Sequence, residues 1–168
     1  MLKRLMLATL LALSVAPAAA QEDVKASPAC RHCGMDRQKF ASSRMLIEYD
    51  DGSVEGTCSI RCAALDLAIS LQKVPRAIKV ADMDTKQLVD AEKASWVLVP
   101  GKPGVMTRNA KWAFAERPAA EAYAKASGGT LVTFDEAMKA AYDDMHQDNQ
   151  MLREKRKMMK AKAAEKSH

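Results

Sequence analysis

Aromatic side chains are scarce in this chain, at 5% of 168 residues. Their scarcity leaves the core to aliphatic side chains and methionine. It also removes any basic face interleaved with aromatics, and no nucleic-acid-binding motif is present. Glycine is sparse too, with 7 residues, and no glycine-rich phosphate loop can be drawn. No Ser/His/Asp set stands out, and no pair of carboxylates is spaced for acid–base work. Asp50-Asp51-Gly52 reads as a hairpin turn. Beyond residue 20 no apolar run is long enough to cross a bilayer. These absences argue against the common hydrolytic and nucleotide-binding enzymes. What the chain has in quantity is sulfur, in 4 cysteines and 11 methionines.

The first 20 residues read as an export signal. Lys3 and Arg4 make a positive start, residues 5–15 are apolar but too short for a typical span, and Ala18-Ala19-Ala20 offers a cleavage site before Gln21. No cysteine follows closely, so no lipid anchor is expected there. The mature chain is then expected to be soluble in an oxidising compartment, most simply a bacterial periplasm. The net charge is +5, and much of the basic excess falls after residue 150, in Arg153, Lys155, Arg156, Lys157, Lys160, Lys162 and Lys166.

Along the mature chain, residues 21–29 read as a flexible lead-in. Residues 43–49 and 53–57 read as two strands joined by the Asp-Asp-Gly turn. Ser59 is placed to cap a helix from about Ile60 to Gln72, with a stripe at Ala64, Leu65, Ala68, Ile69 and Leu71. Residues 77–80 read as a third strand. The order repeats: strands at 94–99 and 111–115, a helix opened by Pro118 and stopped by Gly128-Gly129, and a strand at 130–134. Trp96 and Trp112 are expected to pack this second sheet. The expected fold is α+β, with two β-β-α-β halves at residues 30–85 and 86–135. A helix and a solvated basic tail follow over 136–168.

The chemistry centres on Cys30-Arg31-His32-Cys33-Gly34-Met35, followed by Cys58 and Cys62, the latter in the first turn of the expected helix. Disulfides are the default for exported cysteines. Four thiolates also close a tetrahedral zinc site. Cu(I) prefers thiolate and thioether, and a thioether binds without losing a proton. Met35 and Met106 are the thioethers that a Cys/Met site would draw on. A dithiol oxidoreductase is disfavoured, because no strand precedes Cys30 and no helix opens at that pair. His32 reads as either a ligand or an exposed spacer. His146 and the tail methionines read as part of a solvated helix rather than a copper store.

Four stretches in order resemble the NosL family, exported copper chaperones associated with maturation of nitrous oxide reductase. They are the Cys-x2-Cys-Gly-Met run at 30–35; Gly56-Thr57-Cys58-Ser59; Val89-Asp90-Ala91 through Trp96-Val97-Leu98; and Val105-Met106 through Trp112-Ala113-Phe114, with Gly128-Gly129-Thr130-Leu131 and Phe134-Asp135-Glu136 beyond. The resemblance spans roughly residues 30–140. It implies a monomeric, non-enzymatic protein of two β-β-α-β halves that binds Cu(I) through Cys30, Cys33, Met35 and Met106. The ion would pass by ligand exchange to an apo cuproenzyme, nitrous oxide reductase or its membrane maturation complex. Two departures stand out. The chain lacks the lipobox cysteine typical of the family, and Cys62 has no expected counterpart. The Cys58–Cys62 pair gives the first half a treble-clef-like character and keeps a structural or storage zinc module open as the alternative.

Overall fold

The computed structural model describes residues 21–166. The expected export signal at 1–20 lies outside the described residues. The chain forms two antiparallel sheets and a long C-terminal helix, an α+β fold. The first sheet has the order β2-β1-β3-β4, from β1 (Met45–Tyr49), β2 (Val54–Thr57), β3 (Pro75–Ala81) and β4 (Leu88–Asp90). The second has the order β6-β5-β7, from β5 (Ser95–Val99), β6 (Ala110–Phe114) and β7 (Thr130–Val132). Helix α2 (Ile60–Ile69) links β2 to β3, and α3 (Arg117–Ser127) links β6 to β7. The β-β-α-β order therefore occurs twice, with β4 added to the first sheet through pairing with β3. The short β4 is not legible in the sequence, because three residues are too few to show alternation.

Residues 21–29 are not a flexible lead-in. Helix α1 (Glu22–Ala26) forms there, and Val24 is buried. The anchor is ionic. Asp23 accepts hydrogen bonds from Arg37 Nη2 at 2.9 Å and from Arg44 Nε and Nη2 at 2.8 and 3.0 Å. Both guanidiniums are buried, so the carboxylate of α1 is the counter-charge that lets them stay there.

Helix α2 also departs from its expected stripe. It ends at Ile69, and it buries Ile60, Ala63 and Ala64 while Ile69 and Leu71 face solvent. Ser59 precedes the helix without a side-chain cap; its backbone carbonyl accepts from Cys62 N and Ala63 N, each at 3.0 Å. The last expected strand stops at Val132, because Thr133 and Glu136 form a reciprocal capping box that starts α4 (Phe134–Glu165).

One core joins the two sheets. Met45, Ile47, Tyr49 and Val80 from the first sheet meet Trp96 and Ala113 from the second, and Phe134, Ala137, Met138 and Ala141 of α4 close the cluster. Trp96 thus packs the shared core, with its Nε1 donating to Ala91 O at 2.8 Å, whereas Trp112 packs against the outer cluster of the second sheet. Methionine fills the space that aromatics leave, as at the fully buried Met45. Beyond residue 152, α4 is exposed.

Candidate metal centre

The run at 30–35 folds into a tight knuckle. Cys30 N donates to Met35 O at 2.8 Å and Gly34 N to Cys30 O at 2.8 Å. Gly34 takes φ 75°, a left-handed value that glycine adopts without strain. The β1–β2 hairpin follows and delivers Cys58 at the end of β2, and the first turn of α2 delivers Cys62. Knuckle, hairpin and helix start converge, so that the Sγ atoms of Cys30, Cys33, Cys58 and Cys62 all lie within 4.8 Å of one another. Cys33 and Cys58 are 3.4 Å apart, and Cys58 and Cys62 are 3.8 Å apart. All four are free thiols, so the disulfide reading does not describe this state. Cys30, Cys58 and Cys62 are buried, and Cys33 is half-buried.

The thiols perturb one another. Hydrogen bonds from Cys33, Cys58 and Cys62 hold Cys30 well below the ordinary thiol range. Cys33 is drawn down to about 7: its contact with Cys30 raises it, and those with Cys58 and Cys62 together outweigh that and lower it. Cys58 and Cys62 are pushed up, chiefly by contacts with Cys30 and Cys33. The Arg61 guanidinium, 4.0 Å from Cys62 Sγ, adds positive charge beside the sulfurs.

Met35 and Met106, expected as thioether ligands, both pack against the cysteine cluster, together with Val105. Met106 comes from the loop between β5 and β6 and sits at φ 63°. A non-glycine residue held there costs roughly 1 kcal/mol or more. The loop is pinned from α4. Asp148 Oδ1 accepts from Arg108 N at 2.9 Å, and Asp144 accepts from Asn109 Nδ2 at 2.8 Å and Lys111 Nζ at 2.6 Å. Asn149 accepts from Arg61 Nη2, which ties α2 to the same helix. Helix α4 thus brackets both sides of the sulfur cluster.

His32 is not an exposed spacer, and it stands outside the cysteine cluster. Its Nε2 lies 2.7 Å from Asp66 Oδ1, and Tyr49 Oη donates to Asp66 Oδ2 at 2.5 Å. This chain fastens the knuckle to α2 from behind. Arg37 is a second fastening: Nη1 donates to Asp23 O and Ser27 O, each at 2.7 Å, Nη2 to Met45 O at 3.0 Å, and Nε to Thr57 O at 3.2 Å. Gly56 makes room for it, because a Cβ there would lie 2.7 Å from Arg37 Cζ.

On one side the cluster opens to a cleft of about 760 Å³, walled by the knuckle, the β5–β6 loop and α4. Cys33, Met35, Met106, Met151 and Met159 all line it. The tail methionines Met151 and Met159, read from the sequence as part of a solvated helix, stand at the site. No signal short of the fold places them there.

Fold and site together define an α+β protein with a knuckle–hairpin–helix module that gathers four thiols and two thioethers. The NosL family model matches residues 21–142, and the chain belongs to the NosL family. Among solved structures, the crystal structure of the copper chaperone NosL from Shewanella denitrificans shares the fold, with a TM-score of 0.56 and 24% identity. That match covers 72% of this chain and 96% of the other. A search of curated proteins finds no significant match. Among the described residues, no helix is long and apolar enough to cross a membrane.

Proposed function

We propose that this chain is a periplasmic Cu(I) carrier rather than an enzyme, and that it acts as a monomer. Its ligands are drawn from Cys30, Cys33, Cys58, Cys62, Met35 and Met106. The observation that carries the reading is the meeting of four cysteine sulfurs and two thioethers beside an open cleft. Soft sulfur ligands match the preference of Cu(I), and more sulfurs than one ion needs allow it to move by exchange, one ligand leaving as another arrives. The recipient is an apo cuproenzyme, nitrous oxide reductase or the membrane complex that matures it. Membership of the NosL family supports the copper reading, and the recipient is the one that the sequence resemblance implies.

A second reading has its own observation. Four thiolates around zinc, with Zn–S near 2.3 Å, place sulfurs about 3.8 Å apart. The 3.4 and 3.8 Å separations here are close to that value. A structural or storage zinc module needs neither thioether. Met106→Ala therefore separates the two: under the copper reading it weakens Cu(I) binding and leaves Zn(II) binding unchanged. Equal affinities for Cu(I) in the variant and the parent would remove Met106 from the site and favour zinc.

A further inference from the structure

Helix α4 brings to the cleft two thioethers that the four-cysteine motif does not predict. We propose that Met151 and Met159 form an uptake subsite for Cu(I), a thioether ladder that receives the ion at the cleft mouth and passes it inward to Met106, Met35 and Cys33. The inference rests on the copper reading of the thiol cluster and names the route by which that cluster is filled.

The placement carries the argument. Eight residues of helix advance about 12 Å, so Met151 and Met159 lie at two depths along one wall. Both line the cleft that holds Cys33, Met35 and Met106. Met151 is half-buried, and Met159 is 62% exposed, at the outer end. At that exposure Met159 gains little from burial, and its place on the cleft wall is what fits it for soft ligation. The neighbouring Met158 is 57% exposed and is not part of the cleft wall, which makes it a natural control.

The lining is also selective. No carboxylate lines the cleft, so hard dications find no anionic oxygen there. Lys155 and Arg156 line it instead. Their repulsion acts twice as strongly on a dication as on Cu(I), and they attract Cu(I) arriving as an anionic complex. Transfer is ligand exchange throughout. A thioether enters copper's coordination as the donor's ligand leaves, a thiol later replaces a thioether and gives up its proton to water as its thiolate binds, and no electron moves.

The test is stopped-flow uptake of Cu(I), presented as a chelator complex, by the reduced mature protein without oxygen. The double variant Met151→Leu/Met159→Leu is compared with Met158→Leu. Leucine keeps the helix, and this part of α4 contributes little to the core. The expected result is uptake roughly tenfold slower in the double variant, with equilibrium affinity held within about twofold, because the ladder raises local copper concentration without supplying the final ligands. Met158→Leu should behave as the parent. Parent-like uptake by the double variant, or equal slowing by Met158→Leu, overturns the ladder and leaves the thiol site standing. If the parent takes up no Cu(I) at equilibrium, the copper reading itself fails and the ladder with it.

Discussion

Cys33 Sγ stands 3.4 Å from Cys58 Sγ although 25 positions separate the two residues. The knuckle carries one and the end of β2 the other, and nothing bonds them covalently. Cys33 is the most accessible of the four thiols and is drawn down to about 7, so its thiolate is the natural nucleophile. Mild oxidation of the metal-free protein should close the Cys33–Cys58 bond first, with two thiols lost per chain. Cu(I) should slow that loss by occupying the sulfurs. Peptide mapping after alkylation checks both statements, and a first bond within the knuckle, between Cys30 and Cys33, would contradict them.

The α1 clamp sets a pH dependence. Burial alone would raise the Asp23 carboxyl, but the hydrogen bonds and charges of Arg44 and Arg37 outweigh it and hold Asp23 below its ordinary value. A depressed folded value means that the contribution is present in full above the unfolded value of about 3.9 and is lost as pH falls through the folded one. Asp23→Asn should flatten acid unfolding in that window. At neutral pH it should cost about 3 kcal/mol, because two buried guanidiniums lose their counter-charge. Urea unfolding at pH 7 and pH 3 measures the difference.

Gly56 holds the same clamp from the other side. Adding a Cβ places it 2.7 Å from both Cζ and Nη1 of Arg37. Gly56→Ala should destabilise by about 1–3 kcal/mol and lower metal affinity as well, since displaced Arg37 loosens the knuckle. An unchanged melting temperature would show that Arg37 moves aside freely.

How much of this was legible in the sequence follows from what carries each feature. The strands β1, β2, β5 and β6 were legible because alternation, a turn signal and β-branched or aromatic residues agree there. The meeting of Cys30, Cys33, Cys58 and Cys62 was legible because four cysteines fall in two closely spaced pairs, whereas 11 methionines carry no pattern of their own and Met35 and Met106 stood out only through the family resemblance. Helix α1 was not, since five residues show no period and its stability comes from Arg37 and Arg44, distant in sequence. The buried face of α2 was misread because the apolar rhythm runs through Ile69, the last helical residue, and on to Leu71 beyond Ser70, where the helix has ended. The bracketing by Asp144, Asp148 and Asn149 was invisible for a similar reason: on α4 they read as ordinary solvated polar residues.

Met106 allows a trade between stability and binding to be tested. Its left-handed backbone is strained, and glycine there would relieve the strain. Met106→Gly should keep folding stability within about 1 kcal/mol, lost packing offsetting relieved strain. Cu(I) affinity should fall. Thermal unfolding of the metal-free protein, set beside chelator competition, reads both. A large loss of stability with copper affinity intact would make Met106 a packing residue only.

The most direct test of the account is metal competition on the reduced mature protein, with Cu(I) and Zn(II) titrated separately against chelators of known affinity. Cu(I) should bind far more tightly than Zn(II), and the metal-free chain should already be folded. Stoichiometric zinc that resists chelation and is required for folding would contradict it.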